Sequence, residues 1–389
     1  MNTFHTDCIY WKGIKPCNKQ KANLTKECHE CTLYSPIRQN ILIIEAGGLG
    51  SVLRSSVVSK ELKKIYPHSI IQWLTNSKSM ELILGNIPSV DRVYTMTWEN
   101  IAILHSQIYY TIINFESNPA YLAFVSNCLA NKKGFMLNDF GNLTTASLSA
   151  REFLKLQTND YFRRRENKKS MQQILMEVSG LIWRRQNYDI VTRKNDDNWA
   201  TAFLKSKGIA RKDIAIGLNI GSSLRHSAKR WLPQYFYKLA ELCLEYHLEW
   251  KLVILAGPED VDAYMIIADL NNNHRLSNLI FTGHDNTVSQ FISLINKINI
   301  IISVDTFGLH VALGLKKITI SLWGPQPKNE TYSYGKDTKI SLDLDCAPCF
   351  IGREDKCPNP IKLQCMREIS VQAVFRMLEE KIIKNFNTS

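Results

Sequence analysis

NIIISVDTFGLHVALGLKKITISLWG, residues 299–324, decides the fold class. An apolar run at 299–304 ends in Asp305-Thr306, a helical pattern covers 306–314, and a second apolar run fills 318–324. Continuous apolar strands suit a parallel sheet covered on both faces, and a short helix is the crossover that joins parallel neighbours. The stretch therefore reads as a β-α-β unit. The same alternation recurs upstream: IAIGLNI (214–220) precedes a helix at 233–246, KLVILAG (251–257) one at 259–270, and LIFTG (279–283) one at 286–297. Further back, ILIIE (41–45) leads through Gly47-Gly48-Leu49-Gly50 into a helix at 51–65. SIIQWL (69–74), a helix at 77–84, DRVYTM (91–96), YYTIINF (109–115), a helix at 119–130 and GFML (134–137) follow. A last helix is expected at 370–384. The pattern predicts an α/β protein with two Rossmann-like halves, at about 40–140 and 210–340. Between them, 142–212 is a polar, basic join containing Arg163-Arg164-Arg165 and Lys168-Lys169.

A chain of 389 residues with 45% hydrophobic and 22% charged residues can bury a large core, so disorder and coiled-coil architectures are excluded. No apolar run approaches the roughly 20 residues that span a bilayer. The first residues are too polar for a signal peptide, so a cytoplasmic protein is expected. The net charge of +12 first suggests an anionic partner.

Ten cysteines in a protein of a reducing compartment ask for an explanation. Cys8, Cys17, Cys28 and Cys31 open the chain, and Cys346, Cys349, Cys357 and Cys365 lie near its end. Each group contains a C-x-x-C, the spacing of metal knuckles, while Cys128 and Cys243 sit in apolar helical stretches as core residues. The C-terminal four could close a tetrahedron around zinc or iron, with Pro348, Gly352 and Pro358 for the turns. Four free thiols are the plain alternative. The N-terminal four, with His5 and His29 as spare ligands, form a second candidate knuckle. A nucleic-acid ribbon is the competing reading there, supported by Lys12, Lys15, Lys19 and Lys21 but not by interleaved aromatics.

Four strand ends carry the remaining chemistry. Gly47-Gly48-x-Gly50 is either a phosphate-cradling turn or a bare glycine turn that lets strand and helix pack closely. Ser222-Ser223 with Lys229-Arg230 suits a diphosphate or is a solvated basic turn. Glu259, after Gly257-Pro258, could hold ribose hydroxyls. Asp305-Thr306 meets a helix N-terminus, where anions are favoured, although Asp305 could equally be a plain cap; His310 should face the core.

Taken in order, ILIIEAGGLGSVLRSS, GSSLRHSAKRWLPQYF, VILAGPED, SVDTFGLHVALGLKKITISLWGP and CAPCF…C…CMREIS resemble glycosyltransferase family 9, the ADP-heptose-dependent heptosyltransferases, over nearly all of residues 41–385. The branch that modifies proteins such as autotransporters belongs to the same family. The resemblance implies a GT-B fold: two Rossmann-like domains facing a cleft, with Cys-rich metal knuckles at the chain ends. Its divisions are a Cys-rich segment at 1–40, an acceptor domain at 41–205, a nucleotide-sugar domain at 206–345, and a four-cysteine knuckle with the last helix at 346–389. It implies inverting transfer of heptose, or a related sugar, from an ADP-sugar to a hydroxyl of lipopolysaccharide core, protein or another glycan, with no catalytic metal. By family position Ser222, Ser223 and Lys229 meet the diphosphate and Glu259 the ribose, while Asp305, Thr306 and Gly308 hold sugar and phosphates. Protein heptosyltransferases of the family bind iron in a Cys finger, which puts structural iron beside zinc.

One position departs from the family. The acid usual after the glycine turn, the proposed catalytic base, is Ser51 here, and a hydroxyl is no base unaided. Glu116, ending another strand of the same half, is the substitute base, with Asp139 the weaker candidate. A catalytically degenerate GT-B scaffold is the alternative reading. The positive charge of the join 162–170 would suit a phosphorylated acceptor or peripheral contact with an anionic inner-membrane face. A homo-oligomer is compatible with all of this, and no nucleic-acid partner is expected.

Overall fold

The computed structural model describes residues 4–11, 13, 15, 17, 19 and 27–386; Lys12 and Lys21 of the basic leader lie outside them. The chain divides into two compact units, Met1–Leu154 with Ile174–Asp189, and Lys155–Gln173 with Ile190–Ser389.

The first unit is built on β1 (Gln39–Ile44), β2 (Ser69–Thr75), β3 (Arg92–Thr95), β4 (Thr111–Asn114), β5 (Asn131–Leu137) and β6 (Leu143–Thr145), ordered β3-β2-β1-β4-β5-β6. All neighbours pair in parallel except the β5–β6 hairpin. Ile41 to Ile44 are fully buried, as a central strand covered on both faces requires. Each such side chain contributes roughly 1.5–3 kcal/mol of apolar burial. Helix α1 (Leu49–Ile65) starts at the glycine turn after β1, and α2 (Pro119–Asn127) follows β4 with Pro119 in its first turn.

The second unit holds β7 (Ala215–Asn219), β8 (Lys251–Leu255), β9 (Leu279–Phe281), β10 (Ile300–Val304), β11 (Ile318–Trp323) and β12 (Asp337–Ser341), ordered β12-β11-β10-β7-β8-β9 and parallel throughout. In both sheets the order reverses beside the first strand, between β1 and β4 and between β7 and β10. The carboxyl edge at such a switch point is where open α/β sheets bind ligands.

Several features differ from the sequence expectation. Strand β12 was not predicted, because DTKIS is polar; Asp337 binds it to β11 by accepting the Thr319 and Ser321 hydroxyls at 2.9 Å each. The helix after β8 is Val261–His274, which starts later than 259 because the Asp260 carboxylate accepts the Gly257 and Ser222 amides instead. The join at 142–212 is also more ordered than its composition suggested, with helices at Arg151–Thr158, Met171–Val178 and Lys194–Ser206.

Within that join, residues 155–173 and 190–205, read from sequence with the first domain, lie in the second unit. Arginines anchor them. Arg163 donates both arms to Glu330 at 2.7 Å and stacks over Phe350 with 3.9 Å to the ring centre. Arg164 reaches Asp160 and the Cys346 carbonyl, and Arg165 the Asp345 carbonyl. Arg163 and Arg164, expected to face an anionic acceptor or membrane, are therefore committed to internal contacts, while Arg165 stays exposed. Because Glu330 is 5% exposed, Arg163→Ala strands a buried carboxylate. The variant is expected to lose about 2–4 kcal/mol of stability in urea unfolding. Among the described residues no helix is long and apolar enough to cross a membrane.

Candidate active site

The first unit gathers two carboxyl groups at its switch point. Glu45 follows β1 and is 8% exposed; Glu116 follows β4 and is half-buried. Asn114 fixes the Glu116 backbone: its side-chain oxygen accepts the Glu116 amide at 3.0 Å and its nitrogen donates to the Glu116 and Phe135 carbonyls. The carboxylates then grip the glycine turn, Glu116 accepting the Ala46 amide at 2.6 Å and Glu45 the Gly47 amide at 2.9 Å. Asn76 donates to the Ala46 and Gly47 carbonyls from the other side. A Cβ at Gly47 would come within 2.7 Å of Glu45 Oε1, so a larger residue there would push the Glu45 carboxyl aside. The amides of Ala46 and Gly47 are thus taken by the protein's own carboxylates. That favours the reading of a close-packing turn over a phosphate cradle.

Burial raises the Glu45 carboxyl to about 7, and the Glu116 charge adds to this against the opposing pull of the Gly47 amide and Arg54. Ser55 on α1 donates to the second Glu45 oxygen at 3.3 Å. Ser51 accepts from Arg54 at 3.3 Å and carries no acid of its own. Asp139 sits exposed at the β5–β6 tip. Sequence reading missed Glu45, because a single acid closing an apolar run gives no sign of which neighbour it will meet.

The second unit assembles the other candidates around the ends of β7 and β10. Asn219, the last residue of β7, donates to the hydroxyls of Ser303 and Thr306 at 2.8 Å each. A Cβ at Gly308 would lie 2.6 Å from the Asn219 amide nitrogen, so glycine lets helix α3 (Phe307–Gly314) start against the β7 end. Thr306 caps that helix in extended backbone with its hydroxyl on Asn219. Lys229 Nζ stands 3.1 Å from Asp305 Oδ2, and the buried His310 places Nε2 3.5 Å from Asp305 Oδ1. Asp305 is thus held between a lysine and a core histidine.

Asp260 was not singled out from the sequence, and it organises the neighbouring loop. Its carboxylate accepts the Ser222 and Gly257 amides, and Arg230 lies 3.4 Å away while donating to the Ser222 carbonyl at 2.6 Å. Burial lifts the Asp260 carboxyl above its ordinary value against those stabilising bonds. Ser222 is buried, its hydroxyl on the His226 carbonyl; Ser223 and Glu259 are exposed, and Glu259 accepts the Leu224 amide at 3.1 Å. His226 is held below its ordinary value by burial and by the charges of Lys229 and Arg225. Ser222, Lys229, Asp305, Thr306 and Gly308 thus lie at one sheet edge, with Ser223 and Glu259 at its exposed rim.

That edge falls inside a known family. Residues 182–359 match the model of glycosyltransferase family 9 (heptosyltransferase). That stretch is a little under half of the chain. The match agrees with the resemblance read from the motifs.

Solved structures share the two-domain fold. E. coli ADP-heptose lps heptosyltransferase II matches with a TM-score of 0.65 at 15% identity, over 89% of this chain and 99% of the other. A glycosyltransferase family 9 protein from Veillonella parvula gives 0.68 at 18%, over 90% and 98%. The iron-containing dodecameric glycosyltransferase TibC from enterotoxigenic E. coli gives 0.54 at 10%, over 89% and 77%. No curated protein matches the chain.

The family-9 stretch ends inside the C-terminal cysteine group. Cys346, Cys349 and Cys357 all act on the Cys365 thiol, which burial, as the main cause, pushes up to about 12. Three of the sulfurs accept N–H donors: Cys346 from Asn359 at 3.4 Å, Cys357 from Leu363 at 3.3 Å, and Cys349 from Ile351. The thiols share one neighbourhood, and such donors suit thiolates. Even so, among the described residues no group of three or more His, Cys, Asp or Glu is placed to hold a metal ion. The closed knuckle expected from the spacing is therefore not shown by these side chains. In the leader, Cys8 is buried beside Pro36, the His5 amide donates to Cys28 at 3.4 Å, and the His5 ring stacks on Tyr34 rather than turning towards the sulfurs. Cys128 and Cys243 lie in the apolar cores of the two units.

Proposed function

We propose that the chain is an inverting GT-B glycosyltransferase that moves heptose, or a related sugar, from an ADP-sugar to an acceptor hydroxyl. The observation that carries this is the meeting of Lys229, Asp305, Thr306 and Gly308 at the β7–β10 switch point, inside the family-9 stretch. Lys229 and the amides opening α3 supply positive charge for a departing diphosphate. Ser222 and Ser223 offer hydroxyls to the same phosphates, and Glu259 takes the ribose. Asp305 and Thr306 hold the sugar.

In the first unit Glu116 is the base. The acceptor oxygen bonds to the anomeric carbon, the bond from that carbon to the diphosphate oxygen breaks with its electron pair leaving on ADP, and the acceptor proton passes to Glu116. Ser51 takes no proton in this scheme. The acceptor is a hydroxyl of lipopolysaccharide core, protein or another glycan, the first in line with the name of E. coli heptosyltransferase II. Zinc or iron at Cys346, Cys349, Cys357 and Cys365 would be structural, iron having support from TibC, and no transfer step uses it. The divisions at 40 and 345 and a homo-oligomeric state belong to the same reading. Ser51 in place of the usual acid favours a second reading, a degenerate scaffold that keeps the fold.

Calorimetric titration in EDTA with ADP-heptose, ADP-glucose and UDP-sugars tests the donor. Binding of the ADP-sugars ahead of the UDP-sugars is expected. No nucleotide binding at millimolar concentration overturns the proposal.

A further inference from the structure

The Glu45 carboxyl is buried, lies within hydrogen-bonding reach of Glu116, and has no part in the transfer scheme. Groups from four directions face it. Glu116 approaches from the end of β4, Arg54 and Ser55 from α1, Tyr121 from α2, and the Gly47 amide from the turn. Adjacent amides, Ala46 and Gly47, bind the two carboxyl groups separately, so the turn holds the pair side by side. Two carboxylates in contact in a buried site repel, and one proton between them relieves the repulsion. Arg54 is spread between Ser51 and Glu45 and opposes that protonation without abolishing it.

We propose that Glu45 is a positioning residue for Glu116: the two carboxyl groups share one proton, held on buried Glu45, so that Glu116 carries the single negative charge of the pair. The inference rests on Glu116 as the base. It adds that the charge and direction of this base are set by a second acid, which takes no proton from the acceptor. When Glu45 also ionises, a second negative charge appears beside the reacting hydroxyl.

The fold itself reports the pair. Glu45 is protonated in both folded and unfolded chains below its ordinary 4.5, and its raised value of about 7 in the folded chain makes stability fall as pH rises between those limits. Glu45→Gln keeps an acceptor for the Gly47 amide and removes that fall. Melting temperatures from pH 4 to 9 for wild type, Glu45→Gln, Glu116→Gln and the double variant carry the test, beside pH profiles of kcat/KM. The advantage of Glu45→Gln over wild type should grow from about pH 4.5 and level off above 7. With Glu116→Gln as background it should level off at lower pH. In the pH–rate profile, Glu45→Gln should lose an inflection near neutrality while keeping activity within roughly tenfold at pH 6. Identical melting differences in both backgrounds, or an unchanged pH–rate profile in Glu45→Gln, overturn the pairing. If Glu116→Gln transfers sugar at the wild-type rate but still moves the melting difference, the base assignment fails and the shared proton stands.

Discussion

Glu116→Gln is expected to lower kcat by about 10²–10⁴-fold, the usual contribution of a positioned general base. The substitution is mild for the fold. Asn114 fixes the position-116 backbone through two hydrogen bonds, and a glutamine oxygen can still accept the Ala46 amide now bound at 2.6 Å. What disappears is the ability to take a proton. Donor affinity should stay within about threefold, because the residues proposed for the donor belong to the other unit, so the loss should fall on kcat and not on donor KM. Ser51→Ala is the contrast: among the described residues its hydroxyl meets only the Arg54 side chain, and its removal should cost less than about fivefold in kcat. Steady-state kinetics across pH 5–9 check both variants. Unchanged kcat in Glu116→Gln would place the base elsewhere.

Lys229→Ala is expected to weaken ADP binding by roughly 10–100-fold, the worth of one charge-assisted contact to a phosphate. The lysine lies 3.1 Å from Asp305 and is only 15% exposed, so its charge is less screened than that of a surface residue. Its loss also turns the Asp305 carboxylate from a partner into a repulsive neighbour of an incoming diphosphate. Lys229→Arg should recover part of the affinity, since the charge survives in a larger planar head. Calorimetry with ADP in EDTA gives both values. Equal affinity of Lys229→Ala and wild type would mean that the diphosphate does not meet this edge.

The parallel sheets were legible because strands covered on both faces are written as apolar runs; Ile41–Ile44 and Ile300–Val304 needed no other signal. The polar edge strand β12 was not, since Asp337 binds it through hydroxyls of β11 and leaves no apolar period to read. Charge counting misplaced the arginines of the join: a tally cannot know that Arg163 finds Glu330, 167 positions along the chain. The donor motifs were legible as short strings at strand ends. Asp260 and Glu45 were hidden, because each works through backbone amides and a distant partner. A single buried acid carries that role only once the sheet brings β1 beside β4, or β7 beside β8.

Transfer itself is the most direct test. Purified protein, ADP-heptose and EDTA, with delipidated cell-envelope polysaccharide or envelope protein as acceptor, should release ADP in step with sugar incorporation, and Glu116→Gln should reduce both together. ADP-heptose that binds but is never turned over, with either acceptor and at any pH between 5 and 9, would contradict the account and leave a sugar-nucleotide-binding scaffold in its place.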